Sequence, residues 1–340
     1  MKAAAILIAA LTAAAPAFAG EATALFSSSD PIEITITGPI GEIARKARTS
    51  TDPLAATLGY GAEQHAIDLS ARGNSRRRPE TCKFPPLRVS FTEKPDKESL
   101  FHKQKNLKLV THCRATNGFE KHLLLEYSAY RMLNALTEQS FRVRLATVRY
   151  VEAGSGKVTA ERPGFFIEDI DDLADRVGLD DVKTGKLSIT QHDAGAAART
   201  ALFFHMIANH DWSMVEGPDG ECCHNGKLLG AADTSAQDLV YVPYDFDYSG
   251  FVDAPYAVPP EKISIRSVRT RYYRSPCSLN GEVKAAAALF RERRPQIEGA
   301  VRSTPGLDRK AADKAVKFLE GFFSDIATND AVDELLERCR

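Results

Sequence analysis

The chain carries its most informative residues in two stretches, NHDWSMVEGPDGECCHN at positions 209–225 and LVYVPYDFD at positions 239–247. In the first stretch, Asp211 follows an apolar segment with helical periodicity, and Asn225 precedes a short apolar strand. In the second stretch, an apolar strand leads directly into Asp245. Loops at the ends of helices and strands commonly carry functional residues. We therefore interpret the two stretches as parts of one candidate active site.

The residue types in these stretches suit phosphoryl transfer. That reaction uses one carboxylate to orient the acceptor hydroxyl, and further oxygen ligands to hold a metal ion against the phosphates. Asp211, Asn225 and the carboxylates of the DFD segment together supply such a set. Oxygen ligands without a thiol favour Mg²⁺ or Mn²⁺ over zinc. The alternative is that these residues cap turns and end strands without a catalytic role.

The rest of the chain predicts an α+β fold with two lobes. Apolar residues alternate with polar ones at 32–36 and 107–113, which is typical of strands, and recur every three or four residues at 123–136, which is typical of a helix. In the second half the periodicity is mainly helical, with three helices expected near the C-terminus. The sequence predicts a small β-rich N-lobe with one main helix at 20–168 and a larger, mainly helical C-lobe at 169–340.

A lysine and a glutamate in the first half are candidates for binding a nucleotide. Lys108 lies within an apolar strand, where packing gives no reason for a charge, and Glu126 follows in the main helix. In protein kinases, a strand lysine binds the nucleotide phosphates and pairs with a helix glutamate. We therefore predict a Lys108–Glu126 pair, with Arg88 in a neighbouring strand as a competing phosphate-binding cation. The alternative is that these are solvated surface charges.

Two further segments are candidates for nucleotide contacts. Arg72 and Gly73 begin the sequence RGNS between two predicted strands, where backbone N–H groups and a guanidinium can bind phosphates. The three arginines at 76–78 are interpreted as a solvated turn. The segment GFFIED, which ends at Glu168 and Asp169, is expected to connect the two lobes and to bind adenine through its backbone.

The composition excludes several classes of protein. The 340 residues include 44 Lys and Arg against 45 Asp and Glu, and 44% of them are hydrophobic. This balance argues against a basic nucleic-acid binder and against a disordered chain. Beyond the N-terminus, no apolar run approaches the ~20 residues of a membrane span. We expect a nucleotide and an unknown protein substrate as partners, with no nucleic acid and no membrane span.

The N-terminus has the features of a signal peptide. A basic start and an apolar stretch lead to small residues at Ala17 and Ala19, so we predict removal of residues 1–19 and a periplasmic or secreted protein. The exported part holds six cysteines, which an oxidising compartment converts to disulfides. The predicted pairs are Cys82 with Cys113, and one of Cys222 and Cys223 with Cys277, which leaves the other for Cys339.

A strip of four arginines follows the second of the two informative stretches. The segment IRSVRTRYYR at 265–274 contains Arg266, Arg269, Arg271 and Arg274. We interpret this strip as a solvated face, because isolated surface charges need no partner. The alternative is a role in binding phosphate or an acidic substrate.

Several short motifs resemble those of the spore-coat H (CotH) family of atypical kinases. They are RGNS followed by a basic strand, GFFIEDIDDL after a predicted β-hairpin, N-x-D at 209–211 and YDFD at 244–247. The similarity runs over roughly positions 32–250. It implies a two-lobed protein-kinase-like fold that binds ATP together with Mg²⁺ or Mn²⁺.

The resemblance also implies roles for individual residues. Asp211 is then the catalytic-loop aspartate, Asn225 and Asp245 hold the metal with Asp247 as a second ligand, and Glu126 is the helix glutamate. Asn225 lies fourteen positions after Asp211, whereas the kinase pattern has five. An inserted loop must therefore fold outward between them.

The predicted function is transfer of phosphate from metal-bound ATP to a protein hydroxyl. Two alternatives stay open. One is a catalytically inactive kinase-like module with a binding or structural role in the envelope, which the scarcity of ATP outside the cytoplasm favours. The other is an enzyme that transfers AMP from ATP instead of phosphate.

Overall fold

The computed structural model describes residues 20–339, and the predicted signal peptide at 1–19 lies outside them. Within the described residues, no helix is both long enough and apolar enough to cross a membrane. Strands dominate the first half of this part and helices the second. The chain is therefore a mixed α+β protein with the order of elements that the sequence predicts, and a lobe boundary at 168 stays a prediction.

Seven strands of the first half form a closed barrel. They are β1 (Ile32–Gly38), β2 (Leu54–Tyr60), β3 (Glu63–Ala71), β4 (Leu87–Phe91), β5 (Asn106–Val110), β6 (Val143–Glu152) and β7 (Val158–Ile167). Neighbours pair in the order β1, β2, β3, β4, β5, β7, β6, and β6 closes the ring by pairing parallel with β1. In β1, Ile32, Ile34 and Ile36 are buried and the residues between them are more exposed, because successive side chains of a strand point to opposite faces. The predicted small sheet is thus a barrel.

Eight α-helices lie in the described part of the chain. They are α1 (Ile40–Lys46), α2 (Asn117–Asn134), α3 (Ile170–Val177), α4 (Ala194–Ile207), α5 (Asn280–Glu292), α6 (Arg294–Arg302), α7 (Arg309–Asp325) and α8 (Asn329–Leu336). The short α1 was not predicted, and four helices, α5 to α8, stand near the C-terminus where three were expected, because α5 and α6 are separate. The chain begins a new helix there because Pro295, near the start of α6, has no N–H and its ring clashes with a preceding helical turn.

The main predicted helix, α2, packs against both halves of the molecule. Tyr127 and Tyr130 meet the ring of Phe165 in β7 edge-on, with ring centroids 5.8 Å apart in both pairs. The hydroxyl of Ser128 hydrogen-bonds the hydroxyl of Thr304, just beyond α6, at 2.8 Å. These contacts fix α2, and with it the buried Glu126, between the barrel and the helices.

A small antiparallel sheet in the second half positions the two stretches singled out above. Its strands are β8 (Asp180–Val182), β9 (Gly226–Gly230) and β10 (Val240–Pro243), with β9 in the centre. Gly226 lies opposite Pro243, and the N–H of Tyr244 donates to the carbonyl oxygen of Asn225 at 3.0 Å. A side chain at position 226 would collide with Tyr241, whose ring carbon is 2.0 Å from the ideal Cβ position. The end of this hairpin therefore brings Asn225 next to the DFD segment.

Three disulfides connect the six cysteines. They are Cys82–Cys113, Cys222–Cys223 and Cys277–Cys339. The first is the predicted pair, and three disulfides are consistent with export. The predicted bond from Cys222 or Cys223 to Cys277 is wrong. Cys277 stands just before α5 and Cys339 just after α8, and these two helices pack against each other, so the bond forms between them.

Candidate active site

Three carboxylates from distant parts of the chain lie together beside α2. Glu126 comes from α2, and Asp245 and Asp247 follow β10; one oxygen of each lies within 4.8 Å of the others. Asp245 has a φ of +65°, in a left-handed region that Asp tolerates better than most residues. Its N–H donates to the hydroxyl of Tyr130 at 2.9 Å, which holds the DFD segment against α2. We call Glu126, Asp245 and Asp247 the acidic triad.

Arg76 contacts all three members of the acidic triad. Its Nη1 donates to Glu126 Oε2 at 3.1 Å and its Nη2 to Asp245 Oδ1 at 2.7 Å, while its Nε lies 3.3 Å from Asp247 Oδ2. Arg76 is only 8% exposed. Its interpretation as part of a solvated turn is therefore wrong, and the sequence analysis missed this residue because three consecutive arginines give no sign of which one is buried.

The members of the triad differ in exposure and in charge. Burial raises the pKa of Glu126 and raises that of Asp247 still further, although Arg76 opposes both shifts. Burial acts on Asp245 in the same direction, but the guanidiniums of Arg76 and Arg72 outweigh it, so the pKa of Asp245 is lowered. The side chain of Asp245 is also 35% exposed, against 3% for Asp247. Asp245 is thus the anionic, accessible member of the triad.

The residues of the triad fit a divalent cation. Glu126 Oε1 and Asp247 Oδ2 are buried, and neither accepts a hydrogen bond within the described residues. Arg76 contacts all three carboxyl groups and Arg72 acts on Asp245, but buried carboxylates need further compensating charge or hydrogen bonds at the oxygens left without them. Mg²⁺ and Mn²⁺ prefer oxygen ligands of this kind. Glu126 therefore joins Asp245 and Asp247 as a candidate ligand, which the sequence analysis did not predict.

Asp211 and Asn225 meet directly despite their separation in sequence. The side-chain amide of Asn225 donates to Asp211 Oδ2 at 3.0 Å and to the Asp211 carbonyl oxygen at 2.7 Å. His224 Nε2 lies 2.8 Å from Asp211 Oδ1. This hydrogen bond raises the pKa of His224, against an opposing effect of burial. The carboxylate of Asp211 is held in a fixed orientation while its side chain stays 42% exposed.

The loop between Asp211 and Asn225 folds outward. Ser213 and His224 exchange two backbone hydrogen bonds, of 3.0 and 3.2 Å, which close the loop at its base. The disulfide between Cys222 and Cys223 lies within the loop and does not tie it to the rest of the chain. These backbone pairs, together with a β-bridge between Gly185 and Glu221, let Asp211 and Asn225 meet although fourteen positions separate them in the sequence.

Lys108 is half-buried and its charge acts on Asp245, but it does not form the predicted pair with Glu126. Its ammonium lies 4.8 Å from the centre of the Tyr244 ring, and it makes no ion pair within residues 20–339. Burial, reinforced by Arg72, lowers the pKa of Lys108 to about 8. Glu126 pairs with Arg76 instead, because Arg76 reaches α2 from the segment after β3.

The other residues predicted to contact the nucleotide, Arg72, Gly73 and Arg88, differ in their exposure to solvent. Arg72 is partly buried, and its charge acts on Asp245. Gly73 is exposed, with a φ of +86° and open space around it. Arg88 is exposed and lies directly opposite Lys108 in the pairing of β4 with β5, so both side chains leave the same face of the sheet.

Both the side chain and the N–H of Glu168 form hydrogen bonds within the chain. It is 0% exposed, and its two carboxylate oxygens accept from Arg176 at 3.0 and 2.9 Å. Its N–H donates to the carbonyl oxygen of Arg142 at 3.0 Å. Glu168 thus joins β7 to α3 as a buried residue, and binding of adenine by the backbone of the segment GFFIED stays a prediction.

No family model matches the chain, and no curated protein sequence matches it either. Among solved structures, the chain is similar to the Helicobacter pylori proinflammatory kinase CtkA. The sequence identity is 11%, the TM-score is 0.42, and the match covers 76% of this chain and 96% of that one. The β-rich first part and the helical later part are features of the chain's own structure, and inferences about function rest on the residues of the site.

Proposed function

We propose that the protein is an exported, atypical kinase-like enzyme that transfers phosphate from ATP, bound with Mg²⁺ or Mn²⁺, to a protein hydroxyl. The observation that carries this proposal is the acidic triad, with its two buried carboxylate oxygens that accept no hydrogen bond in the described residues. The oriented carboxylate of Asp211 lies at the same hairpin end as the DFD segment, because Asn225 contacts both Asp211 and Tyr244.

Asp211 is suited to orient an acceptor. Its carboxylate is accessible to solvent, and two neighbouring side chains hold its orientation, so an incoming hydroxyl can donate to it without a change of rotamer. Asp245, Asp247 and Glu126 would hold the metal, and Asn225 stays a proposed ligand beside them. When bound, the metal supplies positive charge that neutralises the phosphate oxygens.

Cations near the triad are suited to bind phosphates. Lys108 is half-buried and forms no ion pair in the described residues, so its ammonium is free to pair with an incoming phosphate. Arg72 lies close enough to influence both Lys108 and Asp245. Gly73 would let the backbone approach a phosphate closely, and Arg88 is a further cation on the face that carries Lys108.

One observation favours a second candidate function, that of a catalytically inactive binding or structural module. The guanidinium of Arg76 already contacts every member of the acidic triad, as it would in a purely structural ion-pair cluster. In that case no metal is needed, and the triad only joins the two halves of the chain. The two functions make different predictions. An enzyme should transfer phosphate and lose this activity when a single carboxylate is replaced by its amide, whereas an inactive module should transfer no phosphate at all.

The test is a transfer assay with ATP labelled on the γ-phosphate or, in parallel, on the α-phosphate, with the full chain and a mixture of unfolded acceptor proteins. We expect γ-label to be transferred by the wild type and lost in Asp211→Asn and Asp245→Asn. The Asp211→Asn variant should still bind ATP, because Asp211 orients the acceptor hydroxyl and does not hold the nucleotide. Asp96→Asn, at an exposed position outside the site, is the matched control and should keep full activity.

Each outcome of this assay decides between the candidates. Transfer of α-label instead of γ-label would replace phosphate transfer by AMP transfer. Equal transfer by the wild type and by Asp245→Asn would contradict the assignment of the triad. Absence of transfer, together with absence of metal-dependent ATP binding, would favour the inactive module.

A further inference from the structure

A groove with an apolar floor and a basic rim lies beside α2, away from the acidic triad. The cavity has a volume of about 510 Å³ and lies between α2, the segment just after DFD, and α7. Its floor includes Leu125, Phe251 and Phe318. We call this cavity the α2–α7 groove. None of the residues assigned to the active site lines it.

The rim of the α2–α7 groove carries an excess of positive charge. Lys121, Lys314, Lys317 and Arg269 contribute cations, and Asp253 is the one acidic residue that lines the groove. Arg269 pairs with Asp253 at 3.1 Å. The three lysines are exposed and form no ion pair within residues 20–339. A ligand in this groove therefore meets lysines whose charge no neighbouring carboxylate neutralises.

Two arginines stack on part of the apolar floor of the groove. The ring of Phe318 is contacted by the guanidiniums of Arg269 and Arg271, at 4.7 and 4.2 Å from its centroid. Arg271 also donates to the carbonyl oxygen of Met206 at 3.3 Å, so it is anchored and not part of a fully solvated strip. Around Phe318, Ala311 and Ala315 of α7 leave space for an apolar side chain from outside.

From this combination of charge and shape, we propose that the α2–α7 groove binds an acidic peptide segment of a partner protein, with an apolar side chain of that segment inserted between α2 and α7. Acidic side chains would pair with the rim lysines, and the apolar side chain would cover Phe318. Such an arrangement, with an apolar anchor and surrounding charge pairs, is common in protein recognition.

The shape of the groove favours a peptide over a membrane surface. A membrane is bound by apolar side chains that protrude, whereas the apolar residues of this groove lie at the bottom of a depression. The large hydrophobic residues that are exposed in the described part, Val158 and Val258, do not line it. The groove therefore suits a segment of a protein better than the surface of an anionic membrane.

The groove and the acidic triad use neighbouring faces of the same helix. Lys121 and Leu125, which line the groove, are four residues apart, and so are His122 and Glu126 on the adjacent face. His122 contacts the carbonyl oxygen of Val252, also in the groove wall, at 2.7 Å. A docked segment would thus be held near the active site, but its binding does not depend on transfer activity.

The test is fluorescence anisotropy with the full chain, without nucleotide or metal, using a labelled peptide Glu-Glu-Leu-Phe-Glu-Glu. We expect saturable binding that weakens with salt and is lost when Leu-Phe becomes Gly-Gly or when every Glu becomes Lys. Lys314→Glu/Lys317→Glu should weaken binding by at least about tenfold, because attraction is replaced by repulsion. Lys105→Glu/Lys157→Glu, an equal change of charge on the exposed barrel surface, should leave binding unchanged.

Three results would overturn the proposal. They are equal binding by wild type and Lys314→Glu/Lys317→Glu, binding of the Gly-Gly peptide as tight as that of the Leu-Phe peptide, and sedimentation with phosphatidylserine vesicles without peptide binding. Because nothing in this experiment depends on ATP, failure of the phosphotransfer proposal would leave its outcome unaffected.

Discussion

Arg76 forms ion pairs with carboxylates from both halves of the chain. It comes from the segment after β3, and it contacts Glu126 of α2 and both aspartates of the DFD segment. Burial raises the pKa of Glu126 and Asp247, and the guanidinium of Arg76 opposes that shift at both residues. Removing Arg76 would leave buried anions unpaired, whereas adding a metal ion would compensate for its loss.

Arg76→Gln should therefore lower the free energy of unfolding by about 3–5 kcal/mol, measured by urea denaturation at neutral pH. Arg77→Gln, one position along, is the control. Arg77 donates only to the carbonyl oxygen of Gly73 and forms no ion pair in the described part of the chain, so its loss should cost less than about 1 kcal/mol. Addition of Mg²⁺ should restore more stability to Arg76→Gln than to the wild type. A loss below about 1 kcal/mol for Arg76→Gln would contradict the central position of this residue.

His112 gives a prediction about acid stability. It stacks on Phe84 with centroids 4.8 Å apart, and its Nδ1 has no hydrogen-bond partner in the described residues. Burial, assisted by Arg162, lowers its pKa from 6.5 to about 4. The unfolded chain therefore binds a proton more readily than the folded chain between these values, so stability falls as the pH drops from 6.5 towards 4.

His112→Phe keeps a stacked ring but cannot be protonated. Between pH 7 and pH 4 the wild type should lose ~2–3 kcal/mol more of its unfolding free energy than this variant, as measured by urea denaturation at both pH values. Equal losses in the two proteins would show that His112 is not held neutral by the fold.

Among the elements, α2 and the β9–β10 hairpin build the site. The sequence predicts both elements, but it does not predict every contact that their side chains make. The periodicity at 123–136 and the apolar strand before Asp245 predict both elements and the meeting of Asp211, Asn225 and the DFD segment. The partner of Glu126 could not be predicted, because the choice between Lys108 and Arg76 depends on how the chain turns after β3. The role of Glu168 was likewise hidden, since Arg176 reaches it only after α3 folds back.

The disulfides make a further prediction at this scale. A peptide map of the exported protein without reduction should contain the pairs Cys82–Cys113, Cys222–Cys223 and Cys277–Cys339. Cys277→Ser/Cys339→Ser should destabilise the protein by about 4 kcal/mol on the chain-entropy account, because the lost bond closes a loop with a sequence separation of 62. A peptide that links Cys222 or Cys223 to Cys277 would contradict the observed arrangement of α5 and α8.

At the scale of the whole molecule, the barrel half and the helical half meet at the acidic triad. Arg76 and Glu126 belong to the first half of the chain, and Asp245 and Asp247 to the second. A ligand held by residues from both halves binds the folded chain and not the unfolded one. Its binding therefore stabilises the whole molecule by mass action, by about 2.7 kcal/mol at one hundred times its dissociation constant.

A metal-dependent nucleotide site at the acidic triad predicts that ATP plus Mg²⁺ or Mn²⁺ raises the thermal unfolding midpoint of the protein. Asn at position 245 keeps the shape of the side chain and tolerates its left-handed backbone, so Asp245→Asn should remain folded. We expect the metal and ATP together to raise the midpoint by several degrees in the wild type and in Asp96→Asn, and far less in Asp245→Asn. An absent shift in the wild type, or an equal shift in Asp245→Asn, would contradict a metal-dependent nucleotide site at the acidic triad.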